Sequence, residues 1–195
     1  YKIIICENGS TDNTLAKVKR ITKKNKSTKL LTMDKASYGK AIKYGISRSN
    51  SNYTFIFNAD LWDINFFKES LFYLNKNYDL VIGSKRLKKS QDYRPLFRQI
   101  ITFIFNLYLK IFLNFEGTDT HGLKGFRTCK IKKIAAKCKT TDELFDTELV
   151  LLAQKYELKI KEIPIKIFEK RPHRTKLLSR IPKTLKELYI MHKRL

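Results

Sequence analysis

Short apolar segments alternate with amphipathic segments over the first 83 residues, and this alternation is what most constrains the fold. Four apolar segments predict strands, at residues 2–6, 29–33, 53–58 and 79–83. The segments between them have helical periodicity, at residues 10–24, from Gly39 onward and at residues 64–77. Strands that alternate with helices predict a mostly parallel sheet with helices on both faces. The nearly continuous apolar character of the strands agrees with burial on both sides, so the predicted fold class is α/β.

The pattern changes after residue 90. The predicted elements are a helix at about 95–114, a strand at 121–127, a helix at 142–157, a strand at 159–170 and a helix at 180–195. The sequence contains no internal repeat, low-complexity tract or clear interdomain linker. We therefore predict a single domain over residues 1–178 and a basic amphipathic C-terminal helix at 179–195. Because the chain opens with Tyr1 directly in an apolar run, we expect a fragment or a processed chain.

The formal net charge of +23 predicts an anionic partner, which is a nucleic acid, a membrane surface or a phosphorylated substrate. The alternative is a lysine-rich solvated surface. Cys6, Cys129 and Cys138 have neither CxxC pairing nor zinc-ligand spacing, which is typical of a reducing compartment. No signal peptide is visible, and no segment has about 18 uninterrupted apolar residues.

Polar residues follow three of the predicted strands, where ligands bind in open α/β sheets. They are Glu7-Asn8-Gly9-Ser10, Asn58-Ala59-Asp60 and Gly83-Ser84-Lys85-Arg86. We expect these groups to converge on one edge of the sheet.

The first of these segments predicts a tight turn at Gly9 and a helix cap at Ser10, Thr11 or Asp12. Free backbone N–H groups there suit a nucleotide, and Glu7 or Asn8 has the groups to hydrogen-bond its base or ribose. An ordinary strand–turn–helix connection is equally consistent with the spacing.

The second segment could hold Mg²⁺ or Mn²⁺, because Asn58, Asp60 and Asp63 supply oxygen ligands of the kind that such cations take. The alternative is that Asp63 caps the following helix while Asp60 is merely solvated.

Eight segments, in this order, resemble motifs of family 2 glycosyltransferases: IICENGSTDNT, SYGKAIKYGI, FNADLWD, VIGSKR, RQIITFIFN, DTHGLKGFR, FDTELVLLAQKYELKIKEIPI and RPHRTKL. The corresponding family patterns include DDGSTDGT, DAD and GSR. An R-x-x-x-S-x-x-x-N helix matches at Arg98, Thr102 and Asn106. The resemblance covers residues 2–178 and is strongest to the dolichyl- or polyprenyl-phosphate sugar synthases, such as dolichol-phosphate mannosyltransferase. It implies the GT-A fold, a Rossmann-like sheet flanked by helices.

The resemblance also implies a reaction, in which a GDP- or UDP-linked sugar passes to a polyprenyl or dolichyl phosphate with Mg²⁺ or Mn²⁺. The acceptor phosphate is already an anion, so positioning and charge neutralisation suffice without a general base. The implied nucleotide-sugar ligands are Glu7, Asn8, Gly9, Ser10, Lys40, Asn58 and Asp60, and the implied metal ligands are Asn58, Asp60 and Asp63. The implied acceptor-phosphate ligands are Lys85, Arg86, Arg98, Arg171 and Lys176, and the residues expected to be catalytic are Asp60, Arg98 and Lys176.

Three departures from the family pattern stand out. The family begins with another strand and helix, carrying a Pro-x-x-Asn-Glu turn, which this chain lacks. Asn58 replaces the first acid of DAD, and Trp62 stands where close relatives have a glutamine near the metal. We therefore expect a weakened metal site and an N-terminally truncated domain.

The predicted helix from Pro95 to Phe115 is apolar apart from a narrow polar stripe, formed by Gln99, Thr102, Asn106, Lys110 and Asn114. Its broad apolar face predicts contact with a bilayer interface or with a membrane subunit or second copy, and a core helix is the alternative. The basic C-terminal helix is a candidate anchor on anionic lipid, or an ordinary surface helix. We expect a peripheral protein on the cytoplasmic face of a membrane.

Two other classes of function compete with this interpretation. The charge also suits a basic nucleic-acid-binding domain, but zinc-ligand spacing, an RNP-like aromatic motif and a helix-turn-helix are absent from the sequence. Acids at Glu7, Asp60 and Asp63 also argue against it, and we expect no nucleic-acid partner. A non-catalytic transferase-like protein is the third alternative, which the missing first strand and Asn58 support.

Four further residues invite a functional interpretation. We favour structural roles for His121 and His173, because neither has a partner at metal-ligand spacing. Glu148 and Asp119 could support acceptor-side cations or form buried ion pairs.

Overall fold

The computed structural model describes residues 1–59, 61–168 and 181–195, and these contain eight strands and seven helices. The strands are β1 (Ile3–Glu7), β2 (Thr28–Thr32), β3 (Tyr53–Ile56), β4 (Leu80–Ser84), β5 (Gln91–Asp92), β6 (Leu123–Arg127), β7 (Ile160–Pro164) and β8 (Lys166–Ile167). The helices are α1 (Thr14–Lys24), α2 (Tyr38–Arg48), α3 (Ile64–Asn75), α4 (Leu96–Leu113), α5 (Thr128–Lys137), α6 (Phe145–Lys155) and α7 (Ile181–His192). The α/β class is confirmed.

The strands form three hydrogen-bonded groups. β1 pairs with β2 and β5 pairs with β8, both in parallel, while the central group has the order β3-β6-β4-β7. Within that group β4 and β7 are parallel, but β6 runs antiparallel to both of its neighbours. The predicted strand at 159–170 is divided between β7 and β8, and α5 was not predicted.

The antiparallel course of β6 follows from how the chain enters the sheet. The segment before β6 lies at the carboxyl end of β4, where the Asp119 carboxylate accepts a hydrogen bond from the Lys85 backbone N–H. Gly122 passes so close to β4 that a Cβ atom there would lie 1.8 Å from the Gly83 carbonyl oxygen. Only glycine permits this approach, so β6 starts beside the end of β4 and runs back along it.

The hydrophobic core lies on both faces of the central sheet. Side chains alternate along β4, so Leu80 and Ile82 join one cluster while Val81 joins the other. The larger cluster takes side chains from α4, α5, α6 and α7, including Leu188 and Met191 of α7. The smaller cluster takes Phe66 and Leu74 from α3. Because β4 is buried along its whole length, it is the centre from which the neighbouring turns are positioned.

Helix α4 exposes its apolar face and turns part of its polar stripe inward. Asn106 is buried, and its amide donates a hydrogen bond to the Thr102 carbonyl. Gln99 donates to the carbonyls of Asp92 and Arg94. Its apolar side chains that are more than two-fifths exposed are Leu96, Phe97, Ile100, Phe103, Ile104, Leu107, Ile111 and Phe112. By length and composition alone, the 18 residues of α4 could cross a membrane. Only 11% of these 18 residues are buried in the protein.

Candidate functional site

The turn after β1 is held by its own side chains. Gly9 has a φ of +66°, the left-handed conformation that favours glycine. The Glu7 carboxylate accepts a hydrogen bond from the Ser10 N–H at 2.5 Å, and hydrogen bonds from the side chain and backbone of Ser10 lower the pKa of Glu7. Asp12 accepts from the Thr14 N–H at the start of α1. Glu7 is buried and occupied in shaping the turn, whereas Ser10 is exposed.

The same turn is tied to the start of α2. The Asn8 side-chain oxygen accepts from the Ser37 N–H at 2.7 Å. The Thr141 carbonyl accepts from the Ser37 hydroxyl and from the N–H groups of Gly39 and Lys40. The first turn of α2 is therefore capped by the segment before α6, and the Lys40 side chain is exposed.

A cleft of about 240 Å³ opens between the β1 turn, the start of α2, the segment before α6 and α7. It is lined by Asn8, Ala36, Ser37, Tyr38, Asp142, Glu143 and Lys183. The Lys183 ammonium lies 2.5 Å from the Asp142 carboxylate, which raises the pKa of Lys183. The sequence did not indicate Lys183, because nothing local links α7 to Asn8.

The β3 end carries the predicted metal ligands. Asn58 is exposed, and its carbonyl accepts from the Leu61 N–H at 3.1 Å, which closes a tight turn. Asp60 lies outside the described residues, and the neighbouring Trp62 is 68% exposed. Asp63 caps α3, because its Oδ1 accepts from the N–H groups of Asn65 and Phe66 at 2.7 and 3.2 Å. Among the described residues, no three His, Cys, Asp or Glu side chains form a metal cluster.

A buried polar network lies behind this turn. The Lys124 ammonium is 2.8 Å from Oδ1 of Asp146, and the two side chains are only 2% and 4% exposed. The Tyr38 hydroxyl donates to Oδ2 of Asp146 at 2.8 Å, and Asn58 lies at the same crevice. Burial, and then the charge of Asp146, raise the pKa of Tyr38. These side chains line one crevice together with His121.

Tyr38, Lys124 and Asp146 were not predicted as site residues. They come from α2, β6 and α6, so no local spacing connects them. Together with Ser37, Tyr38 brings the β1 turn and the β3 turn to the same end of α2.

At the β4 end, Lys85 is buried and paired. Its ammonium lies 2.6 Å from Asp119, and the two side chains are 6% and 1% exposed. Burial alone would raise the pKa of Asp119, but the charge and the hydrogen bond of Lys85 outweigh it and the pKa is lowered. The Glu162 carboxylate accepts from the N–H groups of Thr118 and Asp119 and fixes this loop. In this arrangement Lys85 holds the fold and its ammonium does not reach the surface.

The other predicted phosphate ligands lie elsewhere. Arg86 is half-buried, with its guanidinium 5.3 Å from the centre of the Phe103 ring on α4. Arg98 is half-buried in the first turn of α4. Arg171 and Lys176 lie outside the described residues, as does His173. Arg86 therefore lies against the exposed apolar face of α4, although it follows the buried Lys85 directly in the sequence.

Two residues with open interpretations make local structural contacts. Glu148 accepts from the N–H groups of Lys139 and Thr140 at 2.9 and 2.7 Å, so it holds the turn before α6. His121 lies between the Thr120 hydroxyl and the Glu143 carbonyl, with its ring against Phe105. These contacts agree with structural roles.

Comparisons with known sequences identify relatives. The model of the family described as glycosyl transferase family 2 matches residues 1–133. Dolichyl-phosphate beta-glucosyltransferase of Dictyostelium discoideum is 28% identical over 177 residues, covering 85% of this chain and 54% of that protein. An uncharacterized protein of Methanocaldococcus jannaschii is 34% identical over 95 residues, covering 48% of this chain and 39% of that protein. The chain thus spans about half, or less, of the length of these relatives.

Solved structures with the same fold include glucosyl-3-phosphoglycerate synthase from Mycobacterium tuberculosis in complex with Mn²⁺, UDP and glucosyl-3-phosphoglycerate. It has a TM-score of 0.63 and 13% identity, and the match covers 97% of this chain and 67% of that one. A mycobacterial protein matches with a TM-score of 0.58 and 15% identity, covering 88% of this chain and 58% of that one. The likeness shows the fold, which is the GT-A fold expected from the motifs.

Proposed function

Because the chain belongs to glycosyl transferase family 2, we propose that it transfers a sugar from a nucleotide-sugar donor to a polyprenyl or dolichyl phosphate at a membrane surface. The observation that carries the proposal is the meeting of the β1 and β3 turns at the start of α2. Asn8 accepts a hydrogen bond from Ser37, and Asn58 lines one crevice with the adjacent Tyr38. A donor that binds there would have its nucleotide and its diphosphate on neighbouring turns.

For the donor, we propose that the nucleotide lies in the cleft beside Asn8, Gly9 and Ser10, with Glu7 holding the turn. UDP is favoured over GDP because a structural relative was solved with UDP and Mn²⁺. Lys40 is exposed on the first turn of α2, where its ammonium can approach a diphosphate as a point charge.

We propose that the Asn58–Asp63 turn holds Mg²⁺ or Mn²⁺. Asn58 is exposed and offers an amide oxygen, and Asp63 retains Oδ2 because its cap bonds both use Oδ1. Asp60 supplies the central carboxylate. One or two carboxylates plus substrate phosphates are what Mg²⁺ usually takes, so the residues fit the ion. The bound cation would neutralise charge on the departing diphosphate.

For the acceptor, we propose that a lipid-linked phosphate approaches from the α4 side. Arg86 is favoured because it joins the β4 end to the apolar face of α4. Arg98, Arg171 and Lys176 are the other proposed phosphate ligands, with Arg98 and Lys176 acting on the reacting phosphate. Lys85 is assigned an indirect role, in which its pair with Asp119 fixes the backbone that carries Arg86. The name of the Dictyostelium relative supports a lipid phosphate acceptor.

We propose that α4 lies on a bilayer as a peripheral contact at the cytoplasmic face. Its outward side chains form an apolar surface of the kind that single soluble domains rarely expose. The net charge of +23 favours anionic lipid. Leu185, Tyr189 and Ile190 of α7 are also exposed beside its lysines, which is consistent with a second lipid contact.

Transfer is tested by incubating the protein with Mn²⁺, polyprenyl phosphate in liposomes, and radiolabelled UDP-glucose or GDP-mannose. A labelled glycolipid from either donor is expected. Folded protein that yields no labelled glycolipid from either donor would remove the lipid-phosphate acceptor from consideration.

Membrane contact is tested by flotation with anionic liposomes. The substitution Phe103→Ser on α4 should reduce the floated fraction several-fold, because it removes an aromatic ring from the proposed contact. Phe72→Ser on α3 is the matched control, since both rings are 51% exposed. Equal flotation of the two variants would contradict the assignment of the surface to α4.

A further inference from the structure

We propose that Lys183 of α7 binds a phosphate of the donor nucleotide in the cleft that it shares with Asn8. The inference rests on the proposed function, since it assumes that the nucleotide occupies this cleft. It adds a cationic ligand from the C-terminal helix, which none of the family motifs discussed above includes.

The position of Lys183 is fixed from two sides. Its ammonium lies 2.5 Å from Oδ2 of Asp142. Asp142 follows Thr141, whose carbonyl accepts hydrogen bonds from the first turn of α2. The body of α7 is anchored in the core by Leu188 and Met191, which are 2% and 0% exposed. The ammonium is therefore held at the cleft both by an ion pair and by the packing of its helix.

The ion pair leaves the ammonium with hydrogen bonds to donate. A lysine ammonium has three N–H donors, and Asp142 accepts one of them. The Glu187 carboxylate, one turn along α7, is 3.6 Å away, which is beyond hydrogen-bond distance. The Lys183 side chain is 62% exposed and lines the cleft. Within the described part of the chain, two of its N–H groups therefore remain for a ligand while Asp142 keeps the ammonium in place.

The Asn8 side chain offers further donors to the same cleft. A backbone N–H can only donate, so the atom of Asn8 that lies 2.7 Å from the Ser37 nitrogen is the amide oxygen. The NH₂ group is then the part of the amide that is left for a ligand. An ammonium and an amide NH₂ both donate to acceptor oxygens, which are the groups that a phosphate presents.

The charge of the cleft makes Lys183 necessary for an anionic ligand. Asp142 and Glu143 both line the cleft, and Lys183 is the only cation among the described residues that line it. The hydrogen bond and the charge of Asp142 raise the pKa of Lys183, so the ammonium stays charged at neutral pH. Without Lys183 the two carboxylates would repel a phosphate, whereas without Asp142 the positive charge would be stronger. The two partners of one ion pair should therefore have opposite effects on nucleotide binding.

Isothermal titration calorimetry measures the affinity for UDP and, in a parallel series, for GDP, each with Mg²⁺. Lys183→Met should weaken nucleotide binding about tenfold, the lower end for the loss of a hydrogen bond to a charged group. Lys183→Arg keeps the charge and should recover most of the affinity. Asp142→Asn should bind the nucleotide a few-fold more tightly than the wild type does. Lys186→Met, exposed on the same helix but outside the cleft lining, is the matched control and should bind as the wild type does.

The opposite signs separate phosphate binding from a purely structural ion pair. If Lys183 and Asp142 only hold the cleft together, Lys183→Met and Asp142→Asn should weaken nucleotide binding alike, and that result would overturn the inference. Unchanged affinity in Lys183→Met, beside a wild type that binds nucleotide, would also overturn it and would leave the donor site in place. A wild type that binds neither UDP nor GDP would remove the proposed donor site, and the inference with it. Thermal unfolding of each variant checks that the fold is intact.

Discussion

The ends of β3 and β4 carry similar polar residues in the sequence, yet the structure uses them differently. At the β3 end, Asn58 is exposed, in the turn that we propose holds the cation and the diphosphate. At the β4 end, Ser84 and Lys85 are buried and bonded to the loop before β6, through Thr118 and Asp119. The cause is topological, because β6 enters the sheet over the end of β4 and covers it. Polar residues after a strand indicate a ligand site only where no later segment of the chain covers them.

The largest expected effect tests the structural role of Lys85 at the β4 end. Lys85→Met leaves Asp119 as an uncompensated buried charge and should cost about 3–5 kcal/mol of unfolding free energy. Urea denaturation at pH 7 measures the loss. Lys88→Met, at an exposed position nearby, is the control and should change the free energy of unfolding little. A fully stable Lys85→Met protein would contradict the structural role assigned to the Lys85–Asp119 pair.

At the β3 end the expected effect is on transfer, not stability. Asp60→Ala should reduce sugar transfer about 100- to 1,000-fold, since it removes the central carboxylate proposed to hold the cation at the developing charge. The labelled-glycolipid assay measures the rate, and urea denaturation should give an unchanged free energy of unfolding. Wild-type transfer rates in this variant would show that the metal site is misplaced.

Local pattern explains why much of this fold could be predicted and why parts of the site could not. The strands β1 to β4 and the helices between them follow from periodicity within ten or so residues. The Gly9 turn follows from residue type. In contrast, the burial of Lys85 depends on Asp119, and the buried network of Tyr38, Lys124 and Asp146 joins α2, β6 and α6. Such long-range pairs leave no periodic signal in one sequence.

The sequence pattern of α4 predicts its polar stripe. It does not predict whether that stripe lies against the domain or against the surroundings. A helix with a narrow polar stripe packs either face against its domain, and the sequence does not distinguish the two. In the structure Asn106 lies against the domain and is buried, and its amide donates to the Thr102 carbonyl one turn earlier on α4. The apolar face is then left outside, which is the arrangement expected for a helix that meets lipid.

Arg86 and Lys85 are neighbours at the β4 end, but Lys85 is buried and Arg86 is only half-buried. We therefore expect Arg86, and not Lys85, to affect acceptor binding. Arg86→Ala should raise the KM for polyprenyl phosphate about tenfold, which is the loss of roughly one charge-assisted hydrogen bond, and should leave the KM for the donor unchanged. Steady-state kinetics with liposomal acceptor measure both constants. Lys89→Ala, at an exposed neighbouring residue, is the matched control. Equal acceptor KM values in the two variants would count against Arg86 as a phosphate ligand.

The smallest effect is expected at Asp63, which both caps α3 and is proposed to contact the cation. Asp63→Ala removes an acceptor for two N–H groups and should cost about 1 kcal/mol of unfolding free energy. Asp63→Asn retains a good cap, because asparagine and aspartate are similar at this position, but it removes the charge. The asparagine variant should therefore keep its stability and bind Mn²⁺ a few-fold more weakly in the presence of UDP. If its Mn²⁺ affinity equals that of the wild type, Asp63 belongs with Lys85 among the residues that hold the fold, and Asn58 and Asp60 are the only ligands of the proposed three that this turn could contribute.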